Sequence, residues 1–164
     1  MTEYTRPATW EDLKVLAGLL ADAGVEWALI GGYAIAAHGY VRFSEDIDLL
    51  VNPSRENTHR WIEALSRLPD GAARDLRGEE DVFEREGPYA IRINDEFTVD
   101  VMPAACGHRW DELAAFVTHV TVDGTSIPVL SLEGLLLTKE GMREKDRADA
   151  AVLRSAIKKR SRSE

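Results

Sequence analysis

The chain has 164 residues, 45% of them hydrophobic and 30% charged, with a formal charge of −9. That is enough apolar sequence to bury the core of one globular domain, and too little length for a large catalytic domain plus a separate recognition domain. The single cysteine, Cys106, excludes an internal disulfide, and no apolar run approaches the ~20 residues that span a bilayer, so a soluble cytoplasmic protein with no membrane partner is expected.

The positive charge is uneven. Residues 158–164 hold Lys158, Lys159, Arg160 and Arg162 against one acid, which leaves about −12 on residues 1–157. An acidic body argues against non-specific wrapping of nucleic acid, but still allows a structured RNA gripped by a local patch. We read residues 1–157 as one domain and 158–164 as a disordered basic tail.

In chain order, Thr9 can cap a helix with Asp12 completing a capping box, and Leu13, Leu16, Leu19 and Leu20 follow at helical spacing as far as Gly24. Residues 27–30 then read as a strand, Gly31-Gly32 as a turn, 33–38 as a short helix and Asp46-Ile47-Asp48-Leu49-Leu50-Val51 as a second strand. Side chains two apart on a strand share a face, so Asp46 and Asp48 point together while Ile47 enters the core. Carboxylates so aligned repel, and a divalent cation supplies a reason to align them. Magnesium takes hard oxygen ligands, usually one or two carboxylates plus substrate phosphates. The glycine pair lets a backbone approach such a phosphate closely.

Ser54 offers the start of a third helix with Trp61, Ile62, Leu65 and Leu68 on its apolar stripe. Residues 70–87 are polar and read as a mobile loop near the site mouth. Residues 89–94 and 97–102 alternate as a hairpin, placing Thr98, Asp100 and Met102 on one face and Phe97, Val99 and Val101 on the other. Asp100 reads either as a surface position of a half-exposed sheet or as a functional carboxylate.

A short helix over 109–116 precedes a hairpin over 119–129 that turns at Asp123-Gly124. Ser131 caps a helix bearing Leu132, Leu135 and Leu136, on whose continuation Lys139 and Arg143 share a face. Gly141 can interrupt it, and Asp146 with Asp149 reads as the capped start of the last helix, whose apolar positions include Val152, Leu153 and Ile157. His38 and His59 read as a packed and a surface residue, and Trp10 and Trp27 as core or lid residues.

Gly31-Gly32 followed by Arg42-x-Ser44-x-Asp46-x-Asp48, with a later strand carrying a third acid, resembles the nucleotidyltransferase superfamily of small domains related to DNA polymerase beta. The resemblance spans roughly residues 27–149. Its second glycine position is often serine; here it is Gly32, as in some antibiotic-modifying and some toxin-like members, so a phosphate-binding hydroxyl is lost or moved to Ser44. The resemblance implies an α/β fold, a short mixed twisted sheet flanked by helices. It implies transfer of a nucleoside monophosphate from a nucleoside triphosphate, with Mg2+ or Mn2+ held by Asp46, Asp48 and Asp100 as the catalytic acids. Gly31, Gly32 and Ser44 would cradle the phosphates, and Lys139 and Arg42 would offset charge on the leaving pyrophosphate.

Lys139-x-x-x-Arg143-x-x-Asp146-x-x-Asp149 is similar to a motif of the toxin-like subgroup related to phage abortive infection, in which Lys139 and Asp146 would line the nucleotide site. Its structural reading is a helix-end cation and an N-cap. The acceptor stays open among tRNA, protein and small molecule. The residue pattern favours the toxin-like branch, with a possible antitoxin chain, and the acidic body favours the alternative, an aminoglycoside- or lincosamide-type acceptor. The alternative of another class is a nucleotide-binding module without chemistry.

Overall fold

The computed structural model describes residues 5–40, 42–87, 89–140 and 144–163. The elements run α1 (Trp10–Asp22), β1 (Trp27–Ile30), α2 (Gly31–Ala37), β2 (Ile47–Val51), α3 (Arg55–Leu65), α4 (Val82–Glu86), β3 (Ile91–Asn94) and β4 (Thr98–Met102). They continue with β5 (Ala104–Ala105), β6 (His108–Arg109), α5 (Trp110–Leu113), β7 (Val117–Val122), β8 (Thr125–Leu130), α6 (Leu132–Leu137) and α7 (Glu144–Ser163).

Six strands form one mixed sheet in the order β3-β4-β2-β1-β8-β7, and β5 with β6 form a small separate ribbon. β1 lies antiparallel to β2, β2 parallel to β4, and β1 parallel to β8. The α/β class expected from the sequence is therefore the class observed. Helix α1 starts where expected: Thr9 accepts from the Asp12 amide while Asp12 accepts from the Thr9 amide, the capping box that satisfies two first-turn donors. Leu13, Leu16 and Leu20 are fully buried, as are Leu29, Ile47, Leu49 and Leu50 of the central strands and Trp61 and Leu65 of α3. Each such side chain contributes roughly 1.5–3 kcal/mol by leaving water. The lower ends of β1 and β2 are tied by Asn57, whose amide oxygen accepts from the Glu26 N–H at 2.7 Å while its nitrogen donates to the Glu26 and Asn52 carbonyls at 3.0 and 2.8 Å.

Four local expectations are corrected. Gly31 and Gly32 are the first residues of α2 rather than a turn before it. Residues 70–87 are not an irregular loop: a 3-10 helix over Ala72–Leu76 and α4 bury Ala73, Val82 and Phe83. Asp95 makes that possible, since it is fully buried and its carboxylate accepts from the Asp70, Glu96 and Ala72 amides at 2.8, 3.0 and 3.0 Å. Helix α6 stops at Leu137, so Lys139 lies beyond it, and α7 begins at Glu144, which puts Asp146 and Asp149 inside that helix instead of at its cap. Arg143 and Gly141 lie outside the described residues.

The basic run expected as a tail continues α7 to Ser163. Its Arg160 pairs with Glu133 of α6, a contact that helps hold the final turns. On this helix Leu153 and Ala156 are buried, whereas Val152 is exposed. Replacement of Asp95 by alanine removes the acceptor for three backbone donors. We expect it to lower the unfolding free energy by about 3 kcal/mol or more, read as a fall in the thermal midpoint; an unchanged midpoint would show that the 70–87 segment is held by other contacts.

Candidate active site

Strand register assembles the acids. Ile30 pairs with Asp48, Asp48 with Asp100, and Asp100 with Arg92, so one row crosses β1, β2, β4 and β3. Register partners on adjacent strands project to the same face, which brings Asp100 beside Asp48. Asp46, one pleat before Asp48, joins them at the entrance to β2. Ile47 between them is fully buried, as its alternation predicts.

The glycine pair sits against these side chains. Gly31 has φ 77°, a left-handed conformation, and a Cβ built there would lie 2.2 Å from Asp48 Oδ2. A Cβ on Gly32 would lie 2.7 Å from that of Ser44. No other residue type fits the Gly31 position without moving the acid. Ser44 is thus brought to the glycines, but its Oγ donates to the Asp46 carbonyl at 2.8 Å, where it shapes the loop that presents Asp46.

Arg92 completes the row. Its Nε and Nη2 donate to Asp100 Oδ1 and Oδ2 at 2.9 and 3.1 Å, and Nη2 lies 3.5 Å from Asp46 Oδ2. The hydrogen bonds to Asp100, then its charge, then the charges of Asp46 and Asp48, hold the guanidinium even more firmly protonated than usual. Sequence reasoning passed over Arg92, whose place opposite Asp100 is set by the register of β3 on β4.

Gly31, Ser44, Asp46, Asp48, Asp100 and Lys139 line one cleft of about 740 Å³ together with Arg92 and Glu45. Gly32, Arg42 and Asp146 stand outside that lining. Arg42 Nε donates to Asp149 Oδ1 at 2.9 Å, and Lys139 Nζ lies 3.1 Å from Asp149 Oδ2 and 3.7 Å from Asp146 Oδ1. Asp146 and Asp149 are both buried, three apart on one face of α7. Two cations and two carboxylates therefore form a compact cluster that fastens α7 to the loop carrying Arg42 and Ser44. Asp149, absent from the expected site, is its centre. His38 has the packing role expected, with Nε2 2.8 Å from the Leu130 carbonyl.

Among the described residues, no group of three or more His, Cys, Asp or Glu side chains is drawn together as a ready-made metal cage. The donor set nevertheless fits a magnesium-like ion. Asp46 and Asp48 offer hard oxygens on one face, and such an ion takes only one or two carboxylates when phosphates and water supply the rest.

Two substitutions test this geometry. In Gly31→Ala both the left-handed backbone and the contact with Asp48 are violated; a loss of stability of about 1–2 kcal/mol is expected in thermal unfolding. Asp149→Ala leaves Lys139 and Arg42 without their shared acid and is expected to cost about 3 kcal/mol, measured by denaturant titration; a loss below about 1 kcal/mol would mark the cluster as a weak surface contact.

No curated protein matches the chain in sequence. Among solved structures, the lincosamide antibiotic adenylyltransferase LnuA with lincomycin bound superposes with a TM-score of 0.60 at 18% identity, over 91% of this chain and 98% of that one. The nucleotidyltransferase candidate TM1012 from Thermotoga maritima gives 0.58 at 17% identity, over 92% of each chain. Both likenesses establish the nucleotidyltransferase fold. A family model described as aminoglycoside-2''-adenylyltransferase matches residues 12–153, which favours the antibiotic-modifying alternative over the toxin-like branch to which residues 139–149 pointed. Because that match spans most of its length, the chain belongs to the aminoglycoside-2''-adenylyltransferase family.

Proposed function

We infer that the protein transfers a nucleoside monophosphate, most simply adenylate from ATP, to a hydroxyl of a small polycationic acceptor of the aminoglycoside kind. The observation that carries this reading is the composition of the cleft beside the Asp46–Asp48–Asp100 row. Four acids, Glu45, Asp46, Asp48 and Asp100, line it against Arg92 and Lys139, so its field draws a cation and repels the backbone of a nucleic acid. Phe43 and Tyr89, 73% and 72% exposed, line the same cleft and offer ring faces to a ring-bearing ligand.

In the reaction, the acceptor oxygen forms a bond to the α-phosphorus while the bond from that phosphorus to the β-phosphate oxygen breaks and pyrophosphate departs. A divalent cation held by Asp46 and Asp48 would supply positive charge to the phosphates and acidify the attacking hydroxyl. Gly31 lines the cleft and leaves its backbone open to the phosphates, with Gly32 packed behind it against Ser44, and Lys139 brings positive charge to the side of the cleft where pyrophosphate would leave. Asp100, beside Asp48, would complete the metal-side carboxylates and help to activate the attacking hydroxyl. The lysine's contacts with Asp146 and Asp149 fix its place, so those acids position it rather than touch nucleotide. The placement of Asp100 on the Asp48 face favours this enzyme reading over a nucleotide-binding module without chemistry.

The test is pyrophosphate release from ATP with a panel of aminoglycosides, a lincosamide and bulk tRNA, at several Mg2+ concentrations, for the wild type and Asp46→Asn. Release that requires an aminoglycoside and Mg2+, and falls at least about a hundredfold in the variant, is the expected result. Release with tRNA alone would return the toxin-like reading; activity unchanged in Asp46→Asn would remove the acid row from the chemistry.

A further inference from the structure

Arg92 is the side chain of the acid row whose role the proposed reaction leaves unexplained. It grips both oxygens of Asp100 through Nε and Nη2, and Nη2 also approaches Asp46. Two-pronged contacts of this kind are among the stronger charge-assisted pairs. The two partners differ in freedom. Asp100 is nearly enclosed, with a side chain 12% exposed, whereas that of Arg92 is 59% exposed. The acid is fixed by the sheet and the guanidinium can turn away from it into the cleft.

A divalent ion that used Asp100 would meet one oxygen already taken by Arg92 Nε and the other by Nη2. An ion on Asp46 would lie near the same positive group. Coulomb repulsion between a guanidinium and a divalent ion at such range opposes simultaneous occupancy. Departure of Arg92 into water alone offers it no new anion, but a triphosphate in the cleft does.

We propose that Arg92 is the resident counter-cation of the acid row: it holds Asp100 and Asp46 in a metal's stead, and it withdraws onto the triphosphate, so that the divalent ion binds productively together with the nucleotide and only weakly before it. This rests on the reading of Asp46, Asp48 and Asp100 as the metal side of a nucleotidyltransferase site. It makes Arg92 a positioning residue that sets the order of loading.

The experiment is titration of the full chain with Mn2+, following the free-ion signal by electron paramagnetic resonance, with and without a non-hydrolysable ATP analogue. Wild type, Arg92→Gln, Arg92→Lys and Asp46→Asn are compared. Without nucleotide, Arg92→Gln is expected to bind Mn2+ about tenfold more tightly than wild type, with the advantage shrinking or reversing once the analogue is present. Should Arg92→Gln fail to fold by circular dichroism, Arg92→Lys, which keeps the charge and loses the two-pronged grip, is expected to gain a few-fold in affinity. Equal or weaker Mn2+ binding by the folded variant, in a site that Asp46→Asn abolishes, would overturn the role of Arg92 and leave the metal site standing. Absence of Mn2+ binding by every protein, with and without the analogue, would overturn both.

Discussion

The contact between Gly31 and the carboxylate of Asp48 is the constraint around which this fold closes. A backbone carbon stands where any side chain would collide with a charged oxygen, so the end of β1, the start of α2 and the start of β2 meet with nothing between them. Strand pairing places Ile30 opposite Asp48, and the left-handed Gly31 then turns the chain into α2 in a single residue. Gly32 repeats the closeness one residue later against Ser44, whose hydroxyl in turn shapes the approach to Asp46. Two small residues thus set the spacing of the carboxylates more firmly than a larger side chain could, because hard contacts rather than flexible ones define it.

Around this closure the described acids are met by basic partners from other elements. At an effective dielectric near 20, unit charges 4 Å apart interact by about 4 kcal/mol, so like carboxylates on neighbouring strands need an opposing partner. On the sheet that partner is Arg92. Behind the cleft, the buried Asp146 and Asp149 are paired with Lys139 and Arg42. The consequence is mechanical as well as electrostatic. Lys139 lines the cleft while being held by α7, so the last helix of the chain positions a cation at a site lined mostly from the segments 30–48 and 89–106.

The parts of this arrangement that depend on local periodicity were legible in the sequence. Alternation alone placed Asp46 and Asp48 together with Ile47 inward, and put Asp100 on the opposite side of its strand from Val99 and Val101. The Thr9, Ser54 and Ser131 caps followed from side-chain chemistry one to three residues away. Long-range partners were not legible in this way. Arg92 gains its meaning from strand register, and Asp149 from a partner 107 residues earlier in the chain. Residues 70–87 look unstructured by composition because Asp95, which satisfies their backbone, lies beyond the segment. The Lys139 stretch carried two readings, a toxin-like nucleotide motif and a structural one; the ion pairs of Lys139 with Asp146 and Asp149 depend on how α7 packs, which local pattern does not give.

The ring faces of Phe43 and Tyr89 have a different implication. They reach into the cleft from segments outside the helices and strands and stand largely in water, so neither contributes much to the core. Substitutions at such exposed positions usually leave stability within a few tenths of a kcal/mol, up to about 0.5. The acid row, by contrast, is fixed by register and by glycines that tolerate no side chain. The chain therefore separates an inflexible row of acids from a mouth that can vary almost without penalty. Single changes at the rim can thus alter what the cleft receives while the fold stays intact.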